Sequence, residues 1–102
     1  MNDEEEATAA ITPIAANEAR EREETRRAFV IIHQLNVALS RPLALSTRVA
    51  AYNWADAGMT YLMRTIVTAA FTEAGWTVTK RDQELLFCEG PLPHGFLTTR
   101  LE

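Results

Sequence analysis

The apolar pattern of residues 53–75 constrains the fold of this chain more than any other feature. Apolar side chains recur there at spacings of three and four, the period of one helical face; they are Met59, Leu62, Met63, Ile66, Val67, Ala70, Phe71 and Ala74. Asn53 is a residue type that caps helix starts, and Gly75 stands where a left-handed residue often ends a helix. The pattern predicts a central helix over residues 54–74 that forms the spine of the core.

The opposite side of this predicted helix carries almost no charge. A surface helix usually places Glu and Lys there, but this side holds Thr60, Tyr61, Arg64, Thr65, Thr68 and Thr72. Two interpretations remain open at this point. Either other elements of the same domain cover this side, or a second chain does.

Length and charge indicate one globular domain with a neutral body. The chain has 102 residues, 47% of them hydrophobic and 24% charged, which suits a single core. The formal charge of −4 comes from the acidic run at residues 3–6, so the remaining sequence is balanced. A neutral body has no long-range field to attract nucleic acid or an anionic membrane, and we expect neither partner.

The N-terminal third predicts an acidic tail followed by a long helix. Residues 1–11 are acidic and small, so we expect them to be disordered and residues 12–100 to form the single domain. Thr12 with Pro13, or alternatively Asn17, is a helix start. The helix should end near Ser40, because the residue before a proline disfavours helical geometry and Arg41 precedes Pro42.

The two halves of this helix differ in composition. The first half carries Glu and Arg at i,i+4 spacing, which suits ion pairs on a solvated helix; these are Glu18 with Arg22 and Glu23 with Arg27. The second half is apolar, with a stripe of Ala28, Ile31, Ile32, Leu35 and Leu39 that Phe29, Val30 and Val37 widen. We expect the second half to pack against the central helix.

The remaining segments predict one more helix and a hairpin. Ser46 can cap a short helix over residues 46–52, and after Gly75 the period changes to two. Pairing Lys80 with Gln83 gives a hairpin that presents Leu86 on its outer face. The fold class is therefore α+β, with two or three helices packed against a C-terminal β-hairpin and residues 96–100 as a candidate third short strand.

The sequence carries no recognisable chemistry of catalysis. His33, Cys88 and His94 are the only soft metal-ligand types and lack a zinc spacing. Cys88 has no basic neighbour in sequence to favour a thiolate, so we interpret it as a packing residue. We expect no enzyme, no cofactor and no metal. The single cysteine, the absence of a secretory leader and the absence of a membrane-spanning run favour the cytoplasm.

The order of predicted elements over residues 28–88 resembles a winged helix-turn-helix. A short helix precedes a longer one, and a hairpin with Lys80 and Arg81 at its tip follows. The resemblance implies DNA binding, with Thr60 and Arg64 on the groove helix and the two tip residues on phosphate. This is the alternative hypothesis, because phosphate contacts need a basic cluster that the helix does not offer.

The leading hypothesis is a small protein–protein interaction module, acting as a regulator, inhibitor or assembly factor and forming homo-oligomers. Its partner is another protein, and a homodimer is one form of that. Interfaces are enriched in Trp, Tyr and Arg. The predicted interface residues are Trp54, Tyr61, Arg64, Thr68 and Leu86.

Overall fold

A computed structural model of the protein describes residues 9–42 and 47–101. Within them the elements are helix α1 (Pro13–Leu39), strand β1 (Val49–Asn53), helix α2 (Tyr61–Glu73), and strands β2 (Thr77–Arg81), β3 (Glu84–Cys88) and β4 (Thr99–Arg100). The sheet order is β2-β3-β1-β4. Strand β3 is antiparallel to both β1 and β2, and β4 is parallel to β1. This architecture confirms the predicted α+β class.

Helix α1 begins and ends where local sequence signals predict. The Thr12 side chain accepts a hydrogen bond from the Ala15 N–H at 3.1 Å, and Pro13 follows at the first helical position. At the other end, Ser40 is the C-cap and its hydroxyl donates to the Asn36 carbonyl at 2.6 Å. The predicted disorder of residues 1–11 falls outside the described residues as far as residue 8, and the predicted cap at Ser46 also lies outside them.

Only the second half of α1 enters the core. Its buried side chains are Ala28, Ile31, Leu35 and Ala38, which pack with Met63, Val67 and Phe71 of α2. The prediction that Phe29, Val30 and Val37 widen this buried stripe is wrong, since their side chains are 61%, 45% and 49% exposed. The sheet and α2 cover one side of α1, and the helical period turns these three residues away from it.

The predicted short helix over residues 46–52 and the helix start at Asn53 are both wrong. Residues 49–53 form β1, which lies between β3 and β4 in the sheet. The Asn53 side chain does accept from the Asp56 N–H at 2.9 Å, as a cap would, but the chain then turns at Gly58, where φ is +69°. Helix α2 begins at Tyr61 instead, and Thr60 caps it by accepting from the Met63 N–H at 3.3 Å.

The β2–β3 hairpin exists, but its predicted register is shifted. Arg81 pairs with Glu84 around a two-residue loop in which Asp82 has a φ of +52°, whereas the sequence predicted Lys80 opposite Gln83. A shift of two residues keeps every side chain on its predicted face. Val78, opposite Phe87, therefore still faces the helices.

The other face of the sheet is covered by the C-terminal segment. Val49, Ala51, Leu86 and Cys88 form a second buried cluster beneath Leu92 and Phe96. Leu86 lies on the predicted outer face, but the prediction that it is exposed there is wrong, because its side chain is only 1% exposed. The predicted third strand is present as the short β4, and the Leu101 N–H extends this pairing by donating to the Ala51 carbonyl at 2.8 Å.

Candidate interaction site

Four side chains meet where the first turn of α2 approaches the end of the sheet. They are Trp54, Tyr61, Arg64 and Lys80, and we call them the aromatic–cationic patch. The Arg64 Cζ atom lies 3.9 Å from the centre of the Trp54 ring and 5.9 Å from that of Tyr61. The Lys80 Nζ atom lies 5.3 Å from the centre of the Trp54 ring. All three distances are within the range of cation–π attraction.

Backbone hydrogen bonds of the β1–α2 turn position the patch. The Trp54 N–H donates to the Gln83 carbonyl at 3.0 Å, which continues the β1–β3 pairing by one residue. The Trp54 carbonyl accepts from the Met59 N–H at 2.9 Å and closes the turn. The Arg64 guanidinium donates from Nη1 to the Met59 carbonyl at 2.9 Å. Arg64 is therefore held by a hydrogen bond as well as by stacking.

The two cations of the patch form no ion pair with the residues that the structure describes. In the described part of the chain, the ion pairs are Arg26 with Glu23, Arg81 with Glu84, and Arg100 with Asp56. Arg64 and Lys80 belong to none of them, although both lie beside the same indole ring. The patch therefore offers positive charge to an external carboxylate or other anion.

The indole N–H of Trp54 is a feature that packing does not explain. Its Nε1 atom is buried and has no hydrogen-bond acceptor among the described residues. An unsatisfied buried donor costs about 1–3 kcal/mol. The Trp54 ring is thus held in place by its packing and by Arg64 rather than by a hydrogen bond of its own.

The uncharged side of α2 extends outward from the patch. Tyr61 is 77% exposed, and Thr65 and Thr72 are also exposed on this side of the helix. The Thr65 hydroxyl donates to the Tyr61 carbonyl at 2.9 Å, so it is bonded back to its own helix. Thr68 lies one turn beyond Arg64 and is half-buried. The described residues therefore leave much of this side open.

The predicted interface residues thus divide into two sets. Trp54, Tyr61 and Arg64 converge in the patch, and Thr68 adjoins it along α2. Leu86 lies on the opposite face of the sheet, in the second buried cluster.

The residues predicted to contact DNA are not arranged as a winged helix-turn-helix requires. The short helix of that motif is replaced by β1. Thr60 is the N-cap of α2, and Arg64 and Lys80 lie beside Trp54. Arg81 is turned to the other face of the sheet, where its guanidinium lies 5.3 Å from the centre of the Phe96 ring.

Lys80 is the patch residue that the interface prediction missed. The sequence placed it at the hairpin tip as a phosphate contact. The two-residue alternation of β2 carried the needed signal, because it puts Lys80 on the same face as Val78, toward the helices. The hairpin register also matters, because it pairs Lys80 with Leu85 instead of the predicted Gln83.

The potential metal ligands do not converge. The described residues contain no group of three His, Cys, Asp or Glu side chains that could hold a metal ion. Cys88 is buried, with its Sγ atom 3.8 Å from the Pro91 carbonyl, while His33 and His94 are exposed at separate places. In the same part of the chain, neither helix combines the length and apolar character needed to cross a membrane.

No protein-family model, curated protein or solved structure matches this chain. Function is therefore inferred from the side chains and their surroundings.

Proposed function

We propose that this protein is a small interaction module, a regulator, inhibitor or assembly factor, that binds another protein through the aromatic–cationic patch. The observation that carries the proposal is the Arg64 guanidinium, stacked on Trp54 beside the exposed Tyr61 and unneutralised by the described residues. Trp, Tyr and Arg are the residue types that dominate binding energy at protein interfaces.

The chemistry of the patch favours a partner with a carboxylate next to an apolar group. A guanidinium can receive a carboxylate through two parallel hydrogen bonds, and a fixed guanidinium loses little freedom on binding. Arg64 is fixed in this way by Trp54 and by the Met59 carbonyl. The adjacent Tyr61 ring supplies exposed apolar surface for the rest of the contact.

The uncharged side of α2 gives this contact room to extend. Thr65 and Thr72 are exposed there, with Thr68 between them, so a partner can pack along the helix without desolvating a charge. The protein also forms homo-oligomers in this proposal. It works in the cytoplasm, where the thiol of Cys88 would stay reduced.

Photo-crosslinking in the host tests the proposal at one residue. Tyr61→p-benzoylphenylalanine places a crosslinker on the patch, and Leu97→p-benzoylphenylalanine is the matched control, since both side chains are 77% exposed. We expect a specific protein adduct from position 61 that position 97 does not give. Lys80→Glu should remove that adduct, whereas the charge reversal Arg41→Glu, at an exposed site outside the patch, should leave it. The same adducts from both positions, or an adduct that survives Lys80→Glu, would contradict the proposal.

DNA binding is tested separately by a mobility shift with mixed duplex DNA at low salt. We expect no shift, because the body of the chain is neutral and the basic residues are dispersed. A shift that Lys80→Glu and Arg81→Glu both abolish would support the alternative hypothesis instead.

A further inference from the structure

The first half of α1, residues 13–27, has no buried side chain. All four buried residues of the helix lie in residues 28–39. The whole helix has 27 residues, or about 40 Å at the helical rise, and the molecule measures 63 × 24 × 23 Å. We call residues 13–27 the projecting half.

Local interactions give the projecting half only modest support. Arg26 donates two hydrogen bonds to Glu23, and the Asn17 amide donates to Glu21 at 3.2 Å, all on the exposed surface. Such pairs contribute a few tenths of a kcal/mol each, and an isolated helix of this length is marginal in water. Two exposed isoleucines stand at its start, Ile11 at 64% and Ile14 at 73%, and Phe29 stands exposed just past its end.

One side of the projecting half has the spacing of a helix–helix seam. Residues 15, 18, 22, 25 and 29 follow one another at intervals of three, four, three and four, the heptad spacing of paired helices; they are Ala15, Glu18, Arg22, Thr25 and Phe29. The seam is apolar at its two ends and charged in its middle. It lies on a different side of the helix from the buried Ala28 and Leu35.

This seam is complementary to itself when a second copy runs antiparallel. With the two helices crossing at residue 20, Glu18 of each copy meets Arg22 of the other, and Ala15 meets Thr25. Phe29 of each copy then lies level with Ile11 of the other, just before the helix begins, and about one turn from Ile14. A two-fold axis repeats each contact, as a symmetric dimer requires. A parallel pair would instead set Glu18 against Glu18 and Arg22 against Arg22.

Glu18 and Arg22 can form these ion pairs between two copies of the chain. Their spacing suits a bond within one helix, yet among the described residues they form no ion pair with each other or with a third side chain. Both are exposed. Charged residues within such a seam cost stability, but opposite charges that face each other there favour one orientation and register.

We propose that the projecting half is a dimerisation arm, which pairs antiparallel with the same segment of a second copy of this chain. The inference rests on the proposed function in one respect, that the protein acts by protein contact. It assigns a different surface from the aromatic–cationic patch. The interface is small, so the dimer forms reversibly as concentration rises.

Sedimentation velocity of the full chain over a wide concentration range tests the arm. We expect the wild type to shift from one chain mass to two. Phe29→Ser should abolish the shift, because it removes the apolar contact at both ends of the seam. Val37→Ser is the matched control, an exposed apolar residue of the same helix off the seam, and should dimerise as the wild type does. A chain that stays monomeric throughout, or a dimer that Phe29→Ser does not weaken, would overturn the proposal.

Charge reversal tests the antiparallel register. Glu18→Arg alone and Arg22→Glu alone each set like charges against each other and should weaken the dimer at least tenfold. The double variant Glu18→Arg/Arg22→Glu restores opposite charges across an antiparallel pair and should regain most of the affinity. It would restore nothing in a parallel pair. Circular dichroism of each variant shows whether the fold is retained, and folded single variants that dimerise like the wild type would contradict the register.

Different measurements test the aromatic–cationic patch and the dimerisation arm, so that one can be contradicted without the other. Lys80→Glu removes a patch charge and should leave the sedimentation of the chain unchanged. Loss of dimerisation with the position-61 crosslink intact would remove the arm and the homo-oligomer and leave the patch as the site of partner binding. Dimerisation without a partner crosslink would leave the arm standing and remove the patch.

Discussion

The two halves of α1 belong to one continuous helix, yet different interactions hold them. Residues 28–39 bury Ala28, Ile31, Leu35 and Ala38 against α2 and the sheet. Residues 13–27 have no fully buried side chain and depend on the Thr12 cap, on exposed side-chain pairs and, at their end, on the hydrogen bond from Arg27 to the Gly58 carbonyl. Continuity of a helix therefore does not imply uniform stability, and the less stable half is the one free to bind.

Truncating a buried residue of the packed half should lower the free energy of unfolding far more than truncating a residue of the projecting half. Leu35 is 1% exposed, and Leu35→Ala is expected to lower the free energy of unfolding by about 2–5 kcal/mol. Ile14 is 73% exposed, so Ile14→Ala should change it by less than about 0.5 kcal/mol in dilute solution. Urea unfolding of both variants measures the difference. Similar losses at the two sites would show that the halves share one packing environment.

Removing the cap should have a smaller and local effect. Thr12→Ala deletes the acceptor of the Ala15 N–H and should destabilise the first turns by about 1 kcal/mol. Because the projecting half is not packed, we expect lower helicity with an unchanged thermal midpoint. Circular dichroism reports both quantities, and Thr72→Ala, at an exposed site on α2, is the control. A fall in the midpoint would mean that the start of the helix is coupled to the core.

High pH should destabilise the domain by ionising Tyr52, whose side chain borders the packed half of α1. Burial raises the pKa of Tyr52, which lies beside Leu35 and Ala38. A raised pKa contributes stability that is complete below the unfolded value of about 10 and is lost as pH rises through the folded value. Tyr52→Phe should therefore flatten the fall of the thermal midpoint above that pH. An equal fall in both proteins would assign the effect to other groups.

Low pH should lower the helicity of the projecting half. This is the smallest effect among the four predictions made for α1 and its surroundings. The hydrogen bonds from Arg26 hold the pKa of Glu23 below its usual value. A lowered pKa contributes stability that is present above the unfolded value of about 4.3 and is lost as pH falls through the folded value. Helicity should decline over that range in the wild type and decline less in Glu23→Gln. The pair is solvated, and 0.5 M salt should reduce the difference.

Locally encoded structure can be predicted from this sequence. Thr12, Pro13 and Ser40 mark the ends of α1 through bonds that span only a few residues. The faces of β2 and β3 follow from their alternation, which survives a register shift of two residues.

Structure that depends on contacts between distant segments cannot be predicted in the same way. Val49, Ala50 and Ala51 form a central strand buried on both faces, so they show no alternation, and alanine itself favours a helix. The cover over Leu86 comes from Leu92 and Phe96, which no periodicity connects to the hairpin.

Only part of the aromatic–cationic patch can be predicted from the sequence, because distant segments bring its residues together. Residue type alone predicts Trp54, Tyr61 and Arg64 as interface residues, and the predicted helix over residues 54–74 begins seven residues before the observed start at Tyr61. Their convergence depends on the turn after β1 and on Gly58 at a φ of +69°. Lys80 lies beside Trp54 because the β2–β3 register places it opposite Leu85.

Amide hydrogen exchange along α1 at increasing protein concentration tests the division of this helix most directly. In dilute solution, the amides of residues 13–27 should exchange far faster than those of residues 31–38. As concentration rises, protection should grow in residues 13–27 and remain constant in the packed half. Phe29→Ser should remove that growth. Equal protection of both halves in dilute solution, or protection of the projecting half that does not change with concentration, would contradict the account.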